Sequence, residues 1–122
     1  MRRIRLILAA LAAAVLATSL AACSATPSVE VPDSAVIIDV RTPSEFADGH
    51  LEGAINIDVQ SADFDAAIAA LDPAGDYVVY CRSGNRSAAA IDRMEAAGFT
   101  ELVNAGSVEQ ASEATGIEVV TP

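Results

Sequence analysis

The segment from Tyr77 to Ile91 leaves this chain few folds to choose from. Tyr77-Val78-Val79-Tyr80 is β-branched or aromatic throughout, as a buried strand requires. After Arg86 the spacing turns helical and puts Ala89, Met94 and Ala97 near one face. Between strand and helix, Cys81-Arg82-Ser83-Gly84-Asn85-Arg86-Ser87 must make a tight turn. Strand-turn-helix units belong to α/β sheets, whose active sites lie at the carboxyl ends of strands. Cys81 stands at such an end.

A thiol gains reactivity in that position. Such a turn points successive backbone N–H groups into one concavity, and the helix N-terminus adds partial positive charge. Gly84 supplies a backbone conformation that other residues resist. Arg82 and Arg86 bring guanidinium groups near. All three influences favour the thiolate, the nucleophilic form. The dull alternative is a buried core cysteine, a common fate for the residue. The Arg-Ser-Gly-Asn-Arg setting argues against it.

Cys81-Arg82-Ser83-Gly84-Asn85-Arg86-Ser87 resembles the active-site loop of the rhodanese-like sulfurtransferases. A second segment resembles that family's opening signature: Val36-Ile37-Ile38-Asp39-Val40-Arg41, then Glu45-Phe46, Gly49-His50-Leu51 and Gly53-Ala54-Ile55-Asn56-Ile57. The resemblance runs from Ala35 to Val120. It implies a single α/β domain with a mainly parallel central sheet flanked by helices. It also implies sulfur transfer through a persulfide on Cys81, from an anionic donor such as thiosulfate to a thiol or cyanide. Four residues separate Cys81 from Arg86. Phosphatase and arsenate reductase loops of related shape are longer, so the loop resembles the version sized for one added sulfur. The sequence departs from the family after its fourth strand. Many members carry Gly-Gly and then Trp there, where this chain has Asn104-Ala105-Gly106-Ser107-Val108 and no tryptophan.

The rest of the chain reads as alternating strands and helices. Val36–Val40 suits a strand buried on both faces, and Pro43 a short helix start. Ala54–Asp58 reads as a strand, Ser61–Leu71 as a helix, and Asp72–Asp76 as a turn. Gly98 sits where a helix cap belongs. Glu101–Val103 reads as a strand, Val108–Thr115 as a helix and Glu118–Val120 as an extended piece. The length from residue 34 to 122 allows one core and one domain.

The N-terminus has a different logic. Met1–Arg5 is basic, Leu6–Leu16 is an unbroken apolar run, and small residues follow. That is an export signal. Leu20-Ala21-Ala22-Cys23 resembles a bacterial lipobox, which implies removal of residues 1–22 and a diacylglyceryl group on Cys23. An ordinary signal peptide or an uncleaved anchor helix is the alternative. Residues 23–33 then form the lipidated cysteine and a tether rich in Ser, Thr and Pro. The expected location is the outer face of the cell membrane, at the cell surface or in the periplasm. Palmitate belongs to the lipoprotein reading. Cleavage leaves four arginines, no lysine and seventeen acidic residues, a formal charge of −13. Such a surface repels nucleic acid and anionic lipid headgroups.

Site roles follow. Cys81 is the expected nucleophile. Arg82 and Arg86 are expected to bind donor oxygens through their guanidinium forks, although Arg82 could equally be solvated. Ser83, Gly84, Asn85 and Ser87 are expected to offer N–H groups to the persulfide, Ser87 alternatively acting as a helix cap. Asp39, Arg41, Glu45 and His50 are expected to brace the architecture, Asp39 by bonding loop groups and Arg41 by pairing with Glu45. A lone histidine without a cysteine cluster makes a poor metal site, and no metal or organic cofactor is expected. A Cys23–Cys81 disulfide is excluded if Cys23 carries lipid. A monomer is expected. The rival reading is a non-catalytic persulfide carrier or sulfur sensor at the membrane.

Overall fold

The computed structural model describes residues 30–122. The signal, the lipobox and most of the tether lie outside them. The elements run β1 (Val36–Asp39), α1 (Pro43–Asp48), β2 (His50–Leu51), β3 (Ile55–Asn56), α2 (Phe64–Ala69), β4 (Asp76–Tyr80), α3 (Asn85–Ala96), β5 (Glu101–Gly106), α4 (Val108–Thr115) and β6 (Val119–Val120). Four strands form a parallel sheet in the order β3-β1-β4-β5. The fold is α/β with a mainly parallel central sheet, as expected. A separate antiparallel pair joins β2 to β6, with His50 opposite Val120.

Strand periodicity divides the core into two layers. Along β4, Tyr77 and Val79 face the side of α2 and α3, followed by Cys81, and pack with Phe64, Ile68, Ala90 and Met94. Val78 and Tyr80 face the other side and pack with Ile37, Leu51, Ala105 and Ala111 of α4. Both central strands are buried on both faces, which is why they read as continuous apolar runs. The nucleophile candidate is therefore the last member of one core row.

Several expected boundaries shift for local reasons. The helix expected over 61–71 is only Phe64–Ala69. Asp58 and Ser61 side chains accept the N–H groups of Gln60 and Asp63, which turns the chain before the helix begins. The strand expected over 54–58 narrows to Ile55–Asn56, although the Ile57 and Val59 N–H groups still donate to the Asp39 and Val40 carbonyls, and the Asn56 amide bonds the Asp39 and Arg41 carbonyls. On α3 the buried residues are Ser87, Ala90 and Met94. Ala89 and Ala97, expected on that face, are exposed. Ser87 is polar and does not register in an apolar count, so the stripe was displaced by one position. β5 extends three residues past Val103 to Gly106. The β2–β6 pair escapes periodicity because each strand has only two residues.

Two capping boxes fix the ends that matter. Thr42 and Glu45 satisfy each other's N–H groups at the start of α1, with Pro43 in the first turn. Ser107 and Gln110 do the same for α4. A bulge interrupts β5 just before the second of them: Val79 pairs with Asn104 but Tyr80 pairs with Gly106, leaving Ala105 as the extra residue.

Candidate active site

Cys81 follows the last residue of β4, and its N–H donates to Gly106 O at 2.9 Å. The bulge in β5 is what brings that carbonyl to it. The chain then turns through Gly84, which caps α3 with φ +95°. A side chain at that angle is strained, and an added Cβ would stand 3.4 Å from the Gly106 Cα. Glycine is thus required where loop and bulge pass each other. The turn aims the Gly84 N–H at Cys81 Sγ, which accepts it at 3.0 Å. The Ser87 hydroxyl lies 3.5 Å from the same sulfur.

These donors decide the charge of the thiol. Burial alone pushes Cys81 up, since its side chain is wholly covered. The Ser87 hydroxyl and the backbone N–H groups of Ser87, Ser83 and Gly84 outweigh burial and hold the thiol below its ordinary range. The arrangement is a nucleophile stabilised as an anion by groups that are already fixed.

Glu45 holds the loop from the side. Its two oxygens accept a fork from Arg86 at 2.7 and 2.8 Å. Arg86 was expected to bind donor oxygens, but the structure gives it a carboxylate of the protein as partner. Arg82 is exposed and forms no salt bridge among the described residues. Ser83 and Asn85 are exposed as well, while Ser87 is buried. The expected Arg41–Glu45 pair does not form. Arg41 is taken by Asp39, two residues before it, at 2.6 Å. Asp39 bonds no group of the 82–87 loop; among the described residues its carboxylate accepts only from Arg41, from the backbone N–H and the side chain of that residue. Arg41 also donates to Gly49 O and lies over the Tyr80 ring. His50 stacks on Phe46, with Nδ1 2.8 Å from the Phe46 carbonyl. That is a packed and bonded ring, and it is not among the groups that bond the sulfur. Cys23 lies outside the described residues.

The Arg86 fork draws the Glu45 carboxyl down to about 2, against a smaller upward push from burial, with Thr42 helping. The folded value lies below the ordinary 4.5. This stability is therefore present above pH 4.5 and lost as pH falls through 2. Both side chains are about a quarter exposed, which limits the effect to about 1–2 kcal/mol. Glu45→Gln is expected to flatten the acid limb of a urea-unfolding pH profile between those values. An unchanged profile in the variant would show that the pair adds nothing.

One contributor was not foreseen from sequence. The Asn104 amide spans loop and bulge together. Its Nδ2 donates to Gly84 O at 3.1 Å, and its Oδ1 accepts from Gly106 N at 3.0 Å and from Ser87 Oγ at 2.7 Å. The departure at residues 104–108 signalled a change there, but not a contact with the loop.

Comparisons with known proteins agree with this geometry. The rhodanese-like domain family model matches residues 25–114. The thiosulfate sulfurtransferase PspE of Escherichia coli is 35% identical over 72 residues, covering 59% of this chain and 69% of PspE. The thiosulfate sulfurtransferase GlpE of Pseudomonas aeruginosa is 39% identical over 71 residues, covering 57% of this chain and 62% of GlpE. A thiosulfate sulfurtransferase of Corynebacterium glutamicum is 37% identical, but only 26% of its length is matched. Among solved structures, a rhodanese with anions from E. coli superposes with a TM-score of 0.59 at 30% identity, covering 71% of this chain and 98% of that one. A cysteine cradled by N–H groups at a strand end, a parallel α/β sheet and a match over most of the chain agree, and the chain belongs to the rhodanese-like domain family.

Proposed function

We propose that this protein is a sulfurtransferase that moves sulfane sulfur from a donor such as thiosulfate to a thiol or cyanide. The observation that supports it best is the Gly84 N–H on Cys81 Sγ at 3.0 Å, within a loop that favours the anion. The thiolate attacks the outer sulfur of the donor. A new S–S bond forms on Cys81, the old S–S bond breaks, and sulfite leaves with the electron pair. An acceptor thiolate or cyanide then attacks the outer sulfur, leaving as a persulfide or thiocyanate and returning Cys81 as thiolate. Arg82, exposed beside the cysteine and unpaired among the described residues, is the guanidinium available to donor oxygens. The relatives named thiosulfate sulfurtransferase support the same substrate class.

A second reading has one observation in its favour. The Cys81 side chain is 0% exposed, which suits a carrier that shelters a persulfide and hands it on once. In either reading we propose a lipid on Cys23 that holds the domain at the outer face of the membrane. Intact mass before and after thiosulfate, then cyanide, tests these readings together. Gain of one sulfur atom, removed repeatedly as thiocyanate, is expected. A single gain that resists cyanide would favour the carrier. No gain on reduced, folded protein would overturn sulfur transfer from thiosulfate. The same spectrum, on protein extracted from membranes, reads the diacylglyceryl mass on Cys23; an unmodified cysteine would remove the anchor.

A further inference from the structure

The Ser87 hydroxyl has one proton and three neighbours that can take it. Asn104 Oδ1 is at 2.7 Å, Gly84 O at 3.0 Å and Cys81 Sγ at 3.5 Å. The Asn104 amide cannot turn over to relax this competition. Its Oδ1 is fixed by the Gly106 N–H at 3.0 Å and its Nδ2 by Gly84 O at 3.1 Å. An acceptor is therefore held against the hydroxyl, and it makes the shortest of the three contacts.

We propose that Asn104 is a positioning residue that withholds the Ser87 proton from Cys81 and so sets how readily the thiol becomes a thiolate. In the thiol state the Cys81 S–H faces the Ser87 oxygen, whose own proton goes to Asn104 Oδ1. When sulfur loses its proton to water, the Ser87 hydroxyl rotates from Asn104 to the new anion. Asn104 Oδ1 keeps the Gly106 N–H and loses one bond. No other proton moves. Each thiolate therefore forms against the Ser87–Asn104 bond, and removing Asn104 leaves only the longer Gly84 O contact in competition with the sulfur.

The charged groups around the loop are Arg86 of α3, Glu45 of α1 and the Asp39–Arg41 pair at the end of β1. Arg82 lies on the loop itself. Residues 104–106 of β5 contribute none. Substitution at Asn104 leaves all of these unchanged.

The inference rests on Cys81 being the nucleophile of sulfur transfer, but its test reads the thiol without any sulfur donor. A failure of the test is therefore distinguishable from a failure of sulfur transfer. The experiment is the pH dependence of iodoacetamide alkylation, followed by mass spectrometry on the Cys81 peptide of the full chain. Asn104→Ala is expected to move the midpoint to lower pH. Below the midpoint, the rate relative to its plateau should rise about three- to tenfold. Asn104→Ser, one atom too short to reach Ser87 but able to take the Gly106 N–H, is expected to shift the same way. It carries the test if the alanine variant does not fold. In a Ser87→Ala background neither change should move the midpoint. A midpoint that stays or rises in the folded Asn104 variants, or that falls equally without the Ser87 hydroxyl, overturns the proposal. Asn104 is exposed, so its substitution leaves the core untouched.

Discussion

Cys81→Ser is expected to lower sulfur transfer from thiosulfate to cyanide by about a thousandfold or more, because a serine hydroxyl stays protonated at neutral pH and forms no persulfide. The fold should survive. The substitution is nearly isosteric, and the new oxygen inherits the Gly84 N–H and a Ser87 hydroxyl within reach. A buried hydroxyl with partners costs little. Thiocyanate release assayed beside a thermal melt separates the two effects. Parental turnover in a folded serine variant would rule out the covalent route through this residue. A collapse of the melt would instead show that the sulfur is needed for packing, since it is the last member of the row that includes Tyr77 and Val79.

Arg41→Leu is expected to have the largest effect on stability. Asp39 is fully buried, and the Arg41 side chain is 9% exposed. The guanidinium supplies three contacts to that carboxylate, at 3.0, 3.1 and 2.6 Å. Without it the charge keeps one backbone donor, the Arg41 N–H at 2.9 Å. Leaving a buried charge without its partner costs about 3–5 kcal/mol. In a domain of this size that lowers Tm by roughly 12–40 °C. Adding Asp39→Asn removes the stranded charge, and the double variant should recover a substantial part of the loss. A single variant that melts within about two degrees of the parent, roughly 0.5 kcal/mol or less on the same scale, would mean that water already reaches Asp39.

The loop was legible because its constraints are local. A strand end, a glycine with positive φ and a helix start lie within a few residues of Cys81, so composition and spacing reveal them together. The α/β class was legible for the same reason: Val36–Asp39 and Tyr77–Tyr80 are apolar on both faces, and only a covered parallel sheet has use for two such runs. What escaped depends on distant pairing. Glu45 and Arg86 are 41 positions apart, and either could have sought a different partner. Arg41 chose Asp39 over Glu45 because the β1 end buries the nearer carboxylate and leaves the other to the surface. Asn104 reaches the loop only because Ala105 is extra in β5, and one added residue in a strand leaves no periodic trace. Ser87 is buried by its bonds rather than by apolarity, so a hydrophobic count passed over it.

The sulfur's own donors, the Gly84 N–H and the Ser87 hydroxyl, belong to the loop, but the groups that brace the loop come from distant parts of the chain: Glu45 through Arg86, Asn104 through Gly84, and Gly106 through the Cys81 N–H. None of these contacts exists in an unfolded or half-assembled chain. Before β5 docks beside β4, the loop lacks the Gly106 and Asn104 contacts that hold it in the shape aiming the Gly84 N–H at the sulfur. Arming and folding are therefore one event. The thiol is expected to reach its full reactivity only when β5 and α1 are in place to brace the loop.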